Sequence, residues 1–552
     1  MARERLKCVR WMLGLVLATA GVSVGEAQGT CPAKVARDHV TLSYEFVPVI
    51  DGDATTMHVK VTMQGADGDQ LNLRMPGEAS KDTVTPWINL KAESAGTTID
   101  PGDKPTVKVV HFKPGKPLVI SYDLLKDWPG PLHPSMQFQP VIFPTYFELY
   151  GEKALAVPQL NPDVMVTANY DWRALPAGWT LATSFGAGSG AASRCQTFTG
   201  MREAIDQALF AGGDFRLHSF KVGEREVELA IRGAWTFSDD EAAAQLVKPI
   251  QLARTFWHDE NFPYYLVTLA PFEGEGSTDG SQYTNAFWFF MGSKDVLSQP
   301  RIQKDLLHEA FHEWDPWHMG VQKEPQALSD WFQEGVTDYY ANLLAYRNGI
   351  LSAKEYADAM NKGLADYYGG SKSPYTQGLV LGIWLDSAIR KNSGGKQSLD
   401  DVMFEMVREA KEPLSEERVL RTLDKYLADG DRAILRAGID HDGEVPLVGA
   451  VVAAPCMTIL VGKITVFDLG VDFNKSKETK VIAGVEVDGP AYVAGLRDGQ
   501  KLVTWSVTTP STDKLEVFTV KEGDGQKTIT FYAKKIVRAP KLEPQVGCSA
   551  NE

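Results

Sequence analysis

The chain has 552 residues, with 56 Lys+Arg against 71 Asp+Glu, a formal net charge of -15 and 44% hydrophobic residues. That length accommodates roughly three or four globular domains, and the composition excludes a disordered or fibrous chain. The acidic balance excludes nucleic acid as a partner, because nothing offsets phosphate repulsion.

The N-terminus has the layout of a targeting segment. Arg3, Arg5, Lys7 and Arg10 precede a short apolar run from Trp11 to Val24, and small residues offer cleavage after Ala20 or Ala27. The run is too short and glycine-rich for a comfortable span, so residues 1–27 are expected to be a removable signal peptide. The mature protein is then secreted or periplasmic, with no membrane span. Cys8 leaves with the signal, and Cys31, Cys195, Cys456 and Cys548 remain. Four cysteines in an oxidising compartment suggest two disulfides in one of three connectivities. Position along the chain favours Cys31 with Cys195 and Cys456 with Cys548, since each pair brackets one expected domain.

From about Thr30 to Trp235, short alternating runs are punctuated by Gly, Pro and Asp; Thr41 to Phe46, Met57 to Met63, Val107 to Phe112 and Val227 to Ile231 are examples. This is the pattern of antiparallel strands, and residues 28–237 are expected to form a β domain. Gly186 to Ser193, all Gly, Ala and Ser, is expected to be a loop. Ser238-Asp239-Asp240-Glu241 then opens a helix to about Trp257. Strands are expected at Tyr264 to Leu269 and Asn285 to Met291. Helices follow at about Arg301–Trp314, Ala327–Arg347, Ala353–Ala365, Gln377–Lys391, Leu399–Glu409 and Ser415–Tyr426, before a connection containing Gly430 and Gly438. Strands followed by a helix-rich half make an α+β domain over 238–450. Short strands return over 451–540, leaving 541–552 as a tail.

His308-Glu309-Ala310-Phe311-His312 carries the chemistry. Two histidines four apart share one helix face and can share one metal ion. Glu309 sits where it can take a proton from water at the open coordination position. Glu334, in the Trp331-Phe332-Gln333-Glu334-Gly335 segment, is placed to supply a third ligand. A catalytic zinc ion takes three protein ligands and keeps one position for water. Asp338, one turn after Glu334, is the candidate carboxylate for the second ring nitrogen of a ligating histidine. His318 follows His312 by six positions, the spacing of a third histidine in metzincins. Asp315-Pro316 stands where that group needs a sharp glycine turn, so His318 is expected at the rim.

The segments His308 to Trp314, Trp331 to Tyr340 and Tyr375 to Asp386 together resemble the glycyl aminopeptidase family of secreted zinc metallopeptidases. The resemblance implies a gluzincin: an N-terminal β domain, a thermolysin-like catalytic domain and a C-terminal PDZ-like domain. It implies one Zn2+ held by His308, His312 and Glu334, with Glu309 as base, Tyr375 as oxyanion donor and peptides as substrates. Gly489 to Gly499 resembles a PDZ helix and turn, with Leu469 to Phe473 as a loop for a C-terminal peptide ligand. Two departures stand out. Asp315 to His318 replaces an Asn and a basic stretch. The region Gly280 to Asn285 lacks the glutamate that should hold a substrate's free amine, with Glu273, Glu275 and Asp279 out of register. An endopeptidase without a free-amine requirement, and a silent peptide-binding scaffold, are therefore the alternatives.

Overall fold

The computed structural model describes residues 31–545 and Cys548, apart from 53, 76, 79–82, 85–86, 106, 127, 129, 134–138, 261–263, 323–329, 372, 442 and 509–510. The expected signal peptide, with Cys8, lies outside the described residues. The architecture is multidomain α+β with many antiparallel strands.

Val40–Asp51 and Ala54–Gln64 pair along their whole length, with Thr41 opposite Gln64 and Asp51 opposite Ala54. In the second of these strands Thr55, Met57, Val59, Val61 and Met63 are all buried, which is the period-two pattern read from the sequence. The hairpin lies inside a six-stranded sheet that continues on one side to Met165–Asp171 and Cys195–Met201, and on the other to Leu118–Leu125 and Ile88–Ala92. A five-stranded sheet containing Tyr146–Tyr150, Leu209–Gly213 and Thr180–Thr183 packs against it through Phe147, Leu149, Leu181 and Phe210. Phe46 and Trp172 stack at 3.8 Å in this core. The Cys31–Cys195 disulfide ties the first described residue to the edge strand.

The Gly186–Ser193 stretch is not all loop. Gly186–Gly188 pairs with Thr180–Thr183, and Ala191–Arg194 is a 3-10 turn. A strand of Gly and Ala has no side-chain alternation to betray it; only its backbone pairing defines it.

The third sheet runs in the order Arg216–Val222, Arg225–Ile231, Leu266–Phe272, Ala286–Gly292, Thr278–Tyr283, with parallel pairs inside and antiparallel pairs at both edges. The expected boundary at 237 is therefore crossed by one sheet, which takes its first two strands from before that point. One face, through Leu229, Val267, Phe287 and Phe289, is covered by the Asp239–Trp257 and Pro300–Phe311 helices. The other, through Ala230, Leu266, Trp288 and Phe290, rests on Tyr146, Tyr150 and Ala211 of the second sheet. Ser238 opens the first of these helices with the capping box expected from Ser238 and Glu241.

Further helices are Thr337–Arg347, Ala353–Tyr368, Pro374–Ser393, Leu399–Arg408 and Glu416–Leu423. Asp429–Ile439, expected to be part of a connection, is also a helix. A Cβ at its Gly438 would lie 2.9 Å from Val445 and 3.1 Å from Leu381, so glycine is there for close approach rather than to break the helix.

Met457–Phe467 pairs residue for residue with Lys534–Pro544. This ribbon docks on the Ala353–Tyr368 helix, where the Asn361 side chain both donates to Leu542 O and accepts from Leu542 N, each at 2.8 Å. The supposed tail from 541 is thus strand to 544. Beyond the ribbon lies a three-stranded meander, Leu502–Ser506, Leu515–Glu522 and Gly525–Tyr532, with a small core of Leu469, Ile482, Leu496, Phe518 and Ile529. The segment after Gly470 is a helix, Phe473–Thr479, capped by Asp472. The expected gripping loop at Leu469 to Phe473 thus leads into a helix, while the edge strands of the meander are Leu502–Ser506 and Gly525–Tyr532. Cys456–Cys548 closes the base of the ribbon. No helix of the described residues is long and apolar enough to cross a membrane.

Candidate metal centre

The Pro300–Phe311 helix starts on a proline at its first position and ends at His312. One helical turn separates His308 from His312, and their Nε2 atoms lie 3.0 Å apart. His312 is aimed from behind: its Nδ1 donates to Asp315 O at 2.8 Å, which leaves Nε2 as the lone-pair nitrogen. The expected third ligand comes from a π-helical turn, Trp331–Val336, which runs into the Thr337–Arg347 helix. Such single π turns carry one extra residue and re-aim side chains, commonly at functional sites. Here Glu334 Oε2 lies 3.5 Å from His308 Nε2 and 3.4 Å from His312 Nε2.

These spacings fit a metal ion. A tetrahedral zinc site with bonds near 2.0–2.1 Å has ligand atoms roughly 3.3 Å apart, which is the separation the three donors show. The donor set, two imidazoles and one carboxylate, is of the type that leaves a fourth position open.

Electrostatics follow from burial and from this crowding. Burial opposes the charged forms of His312 and Glu334, but each stabilises the other. His312 is lifted to about 10 and Glu334 is held far below the usual carboxylate range, with His308 assisting. Burial lowers His308. Glu309, by contrast, is pushed up to about 8 by burial, with the Glu334 charge adding to it. A carboxyl poised in that range is suited to exchange protons near neutrality.

Tyr375 belongs to the first turn of the Pro374–Ser393 helix, two residues earlier than the helix start expected at Gln377. Its ring lies 6.1 Å from that of His308, and burial, with the neighbouring Glu334 charge, raises its hydroxyl, so it stands beside the same group from the opposite wall. The ring is 47% exposed, as a group facing an open cleft must be. Two glycines set that wall. A Cβ on Gly378 would lie 1.8 Å from Trp331 O and 2.6 Å from Gly335 Cα, so the π turn and this helix meet backbone to backbone.

The edge strand Thr278–Tyr283 runs past Glu309. A Cβ on Gly280 would lie 2.6 Å from the Glu309 carboxyl carbon, so any larger residue there would displace the Glu309 side chain. Gln282, two residues on and so on the same face of the strand, meets the next turn of the helix: Tyr265 donates to its Oε1 at 3.0 Å, and its Nε2 donates to Glu313. An acid at 282 would face the buried Glu313 carboxyl, and that repulsion accounts for an amide at this point of the strand. His318 pairs with Glu313 at 3.3 Å, away from the His308–His312–Glu334 group, so the three-histidine alternative finds no support among the described residues.

Asp338 is on the expected face but not in the expected bond. Its Oδ1 is 3.7 Å from His308 Nδ1, beyond hydrogen-bond length, and 2.9 Å from Lys304 Nζ. Lys304 precedes His308 by four residues and so shares its helix face, a spacing that by itself gives no sign of a role.

Residues 303–376 match the family model described as M61 glycyl aminopeptidase, so the likeness read from the motifs holds, and it supports a peptidase. A crystal structure of an aminopeptidase N family protein from Idiomarina loihiensis superposes with a TM-score of 0.65 at 16% identity, covering 91% of this chain and 98% of that one. It shows a shared fold. An M1 zinc metallopeptidase from Deinococcus radiodurans gives a TM-score of 0.47 at 15% identity, over 75% of this chain and 96% of that one. No curated protein matches the sequence.

Proposed function

Taking the glycyl aminopeptidase match as premise, we propose that the chain is a zinc-dependent peptidase acting on short peptides, secreted or periplasmic. The observation that carries this reading is the convergence of His308 Nε2, His312 Nε2 and Glu334 Oε2 within 4.8 Å of one another, with Glu309 and Tyr375 on either side. His308, His312 and Glu334 would hold the ion, which when bound supplies a Lewis acid for the scissile carbonyl and for water. Glu309 takes the proton from the attacking water and returns it to the leaving nitrogen. Tyr375 donates its hydroxyl proton in a hydrogen bond to the oxyanion as the carbonyl becomes tetrahedral. The peptide lies along Thr278–Tyr283, whose Gly280 keeps the path beside Glu309 clear. Two disulfides support an oxidising compartment.

A second reading, an endopeptidase with no need for a free amine, is favoured by Gln282, since the edge strand turns this amide toward Glu313 and carries no acid after Asp279. Matched peptides with free and acetylated N-termini separate the two, followed by mass spectrometry with Glu309→Gln as the blank. Cleavage confined to free amines supports aminopeptidase action, and cleavage of both sets supports the endopeptidase. No cleavage beyond the blank, in protein shown to hold zinc, would sink the enzyme reading.

A further inference from the structure

Lys304 is set deep beside the candidate metal centre, its side chain 18% exposed. A lysine so placed carries a desolvation cost that only close partners offset. It has two: Nζ lies 2.9 Å from Asp338 Oδ1 and 2.9 Å from Asp305 Oδ1. Asp338 Oδ1 is the same oxygen that faces His308 Nδ1 at 3.7 Å, and that nitrogen is buried with no hydrogen-bond partner. The other carboxylate oxygen of Asp338 accepts from Asn342 Nδ2 at 3.3 Å. Asp338 is therefore gripped on both sides and stopped just short of the histidine. The chain of contacts continues outward. Asp305 Oδ2 accepts from Thr278 Oγ1 at 2.8 Å, at the start of the edge strand, and Arg301 donates to that same hydroxyl oxygen at 2.7 Å.

We propose that Lys304 is a positioning residue for His308: clamped between Asp305 and Asp338, it fixes the carboxylate that faces the buried Nδ1 of His308 at 3.7 Å as a neighbouring charge, and links it through Asp305 to the edge strand. The inference rests on the reading of His308 as a metal ligand. Carboxylates behind ligating histidines set the ring's tautomer and direction, and here the carboxylate's own direction is set by the ammonium. Without Lys304, Asp338 keeps only the Asn342 contact and has no cation beside it, so its aim at His308 is lost.

The test uses the full chain and the zinc dissociation constant, measured by competition with a chromophoric chelator, with circular dichroism to establish folding. Lys304→Met is expected to bind zinc about 10-fold more weakly, and Asp338→Asn about 10–100-fold more weakly. The double variant should be no weaker than Asp338→Asn alone, because both changes act through one carboxylate. Lys304→Gln takes the place of Lys304→Met if the latter does not fold. Zinc binding within about twofold of the unmodified protein in a folded Lys304 variant, or multiplicative losses in the double variant, would overturn the proposal. An unmodified protein that binds zinc no better than His308→Ala would overturn the metal reading, and this inference with it.

Discussion

Gly378→Ala puts the geometry of the candidate metal centre under direct strain. The added methyl would begin 1.8 Å from Trp331 O and 2.6 Å from Gly335 Cα, both backbone atoms that cannot rotate aside. Ordinary contact begins at roughly 3.4–3.5 Å, so the two backbones must separate by roughly 0.8 Å at Gly335 and roughly 1.6 Å at Trp331 O. Overpacking of this kind costs about 1–3 kcal/mol, against which the better helix propensity of alanine returns less than about 1 kcal/mol. Tyr375 rides on the moving helix and Glu334 on the turn, so the shift opens the gap between the proposed oxyanion donor and the proposed metal ligand. A misplacement near 1 Å is worth about 100-fold in rate. We expect kcat on a short peptide to fall by about that factor, with a lowered Tm. Gly363→Ala is the control: its Cβ would meet only the Leu379 methyls, the nearest at 3.1 Å, which can turn away. Gly378→Ala with unchanged kcat and Tm would refute the claim that this glycine pair sets the distance.

Tyr375→Phe removes the hydroxyl and leaves the ring, so kcat should fall by about 3–4 kcal/mol in barrier terms while KM changes little; an equal loss in KM alone would assign the tyrosine to binding instead. Glu148 offers a pH test at a residue outside the candidate ligand set. Its carboxyl is fully buried without a hydrogen bond, and burial raises it from 4.5 to about 7. The folded protein holds this proton more tightly than the unfolded chain, so stability is full below pH 4.5 and falls as pH rises towards 7, by about 3 kcal/mol. Glu148→Gln should therefore gain on the unmodified protein between pH 5 and pH 8 in denaturant melts, and a pH-independent difference would refute the assignment.

The grouping of the three candidate ligands was legible because its information is local. His308 and His312 follow the helical period, and Glu334 stands in a motif whose neighbours fix its helix. Asp338 shows where that kind of reading ends. Spacing put it on the right face, yet its partner was decided by Lys304, a residue that spacing alone does not distinguish from any surface lysine. The sheet that crosses residue 237 was invisible for a related reason. Arg216–Val222 and Arg225–Ile231 alternate like the strands before them, and only their pairing with Leu266–Phe272 assigns them to the later sheet. Gly438 misled in the opposite sense. A glycine read as a breaker sits within a helix because Val445 and Leu381 leave no room for a side chain. The Gly470 loop lies where it was expected, and the short Phe473–Thr479 helix that follows it carries no apolar run by which the sequence announces it.

The C-terminal module leaves and rejoins the rest of the protein at one place, where Met457 faces Pro544 and Cys456 is bonded to Cys548. A protease cut inside the module would therefore release nothing. Both fragments would stay tethered, first by the eleven-residue ladder and then by a covalent bond, and only reduction with unfolding would part them. Proteolytic maturation or damage at this end would thus escape a non-reducing gel and show itself only after thiol treatment.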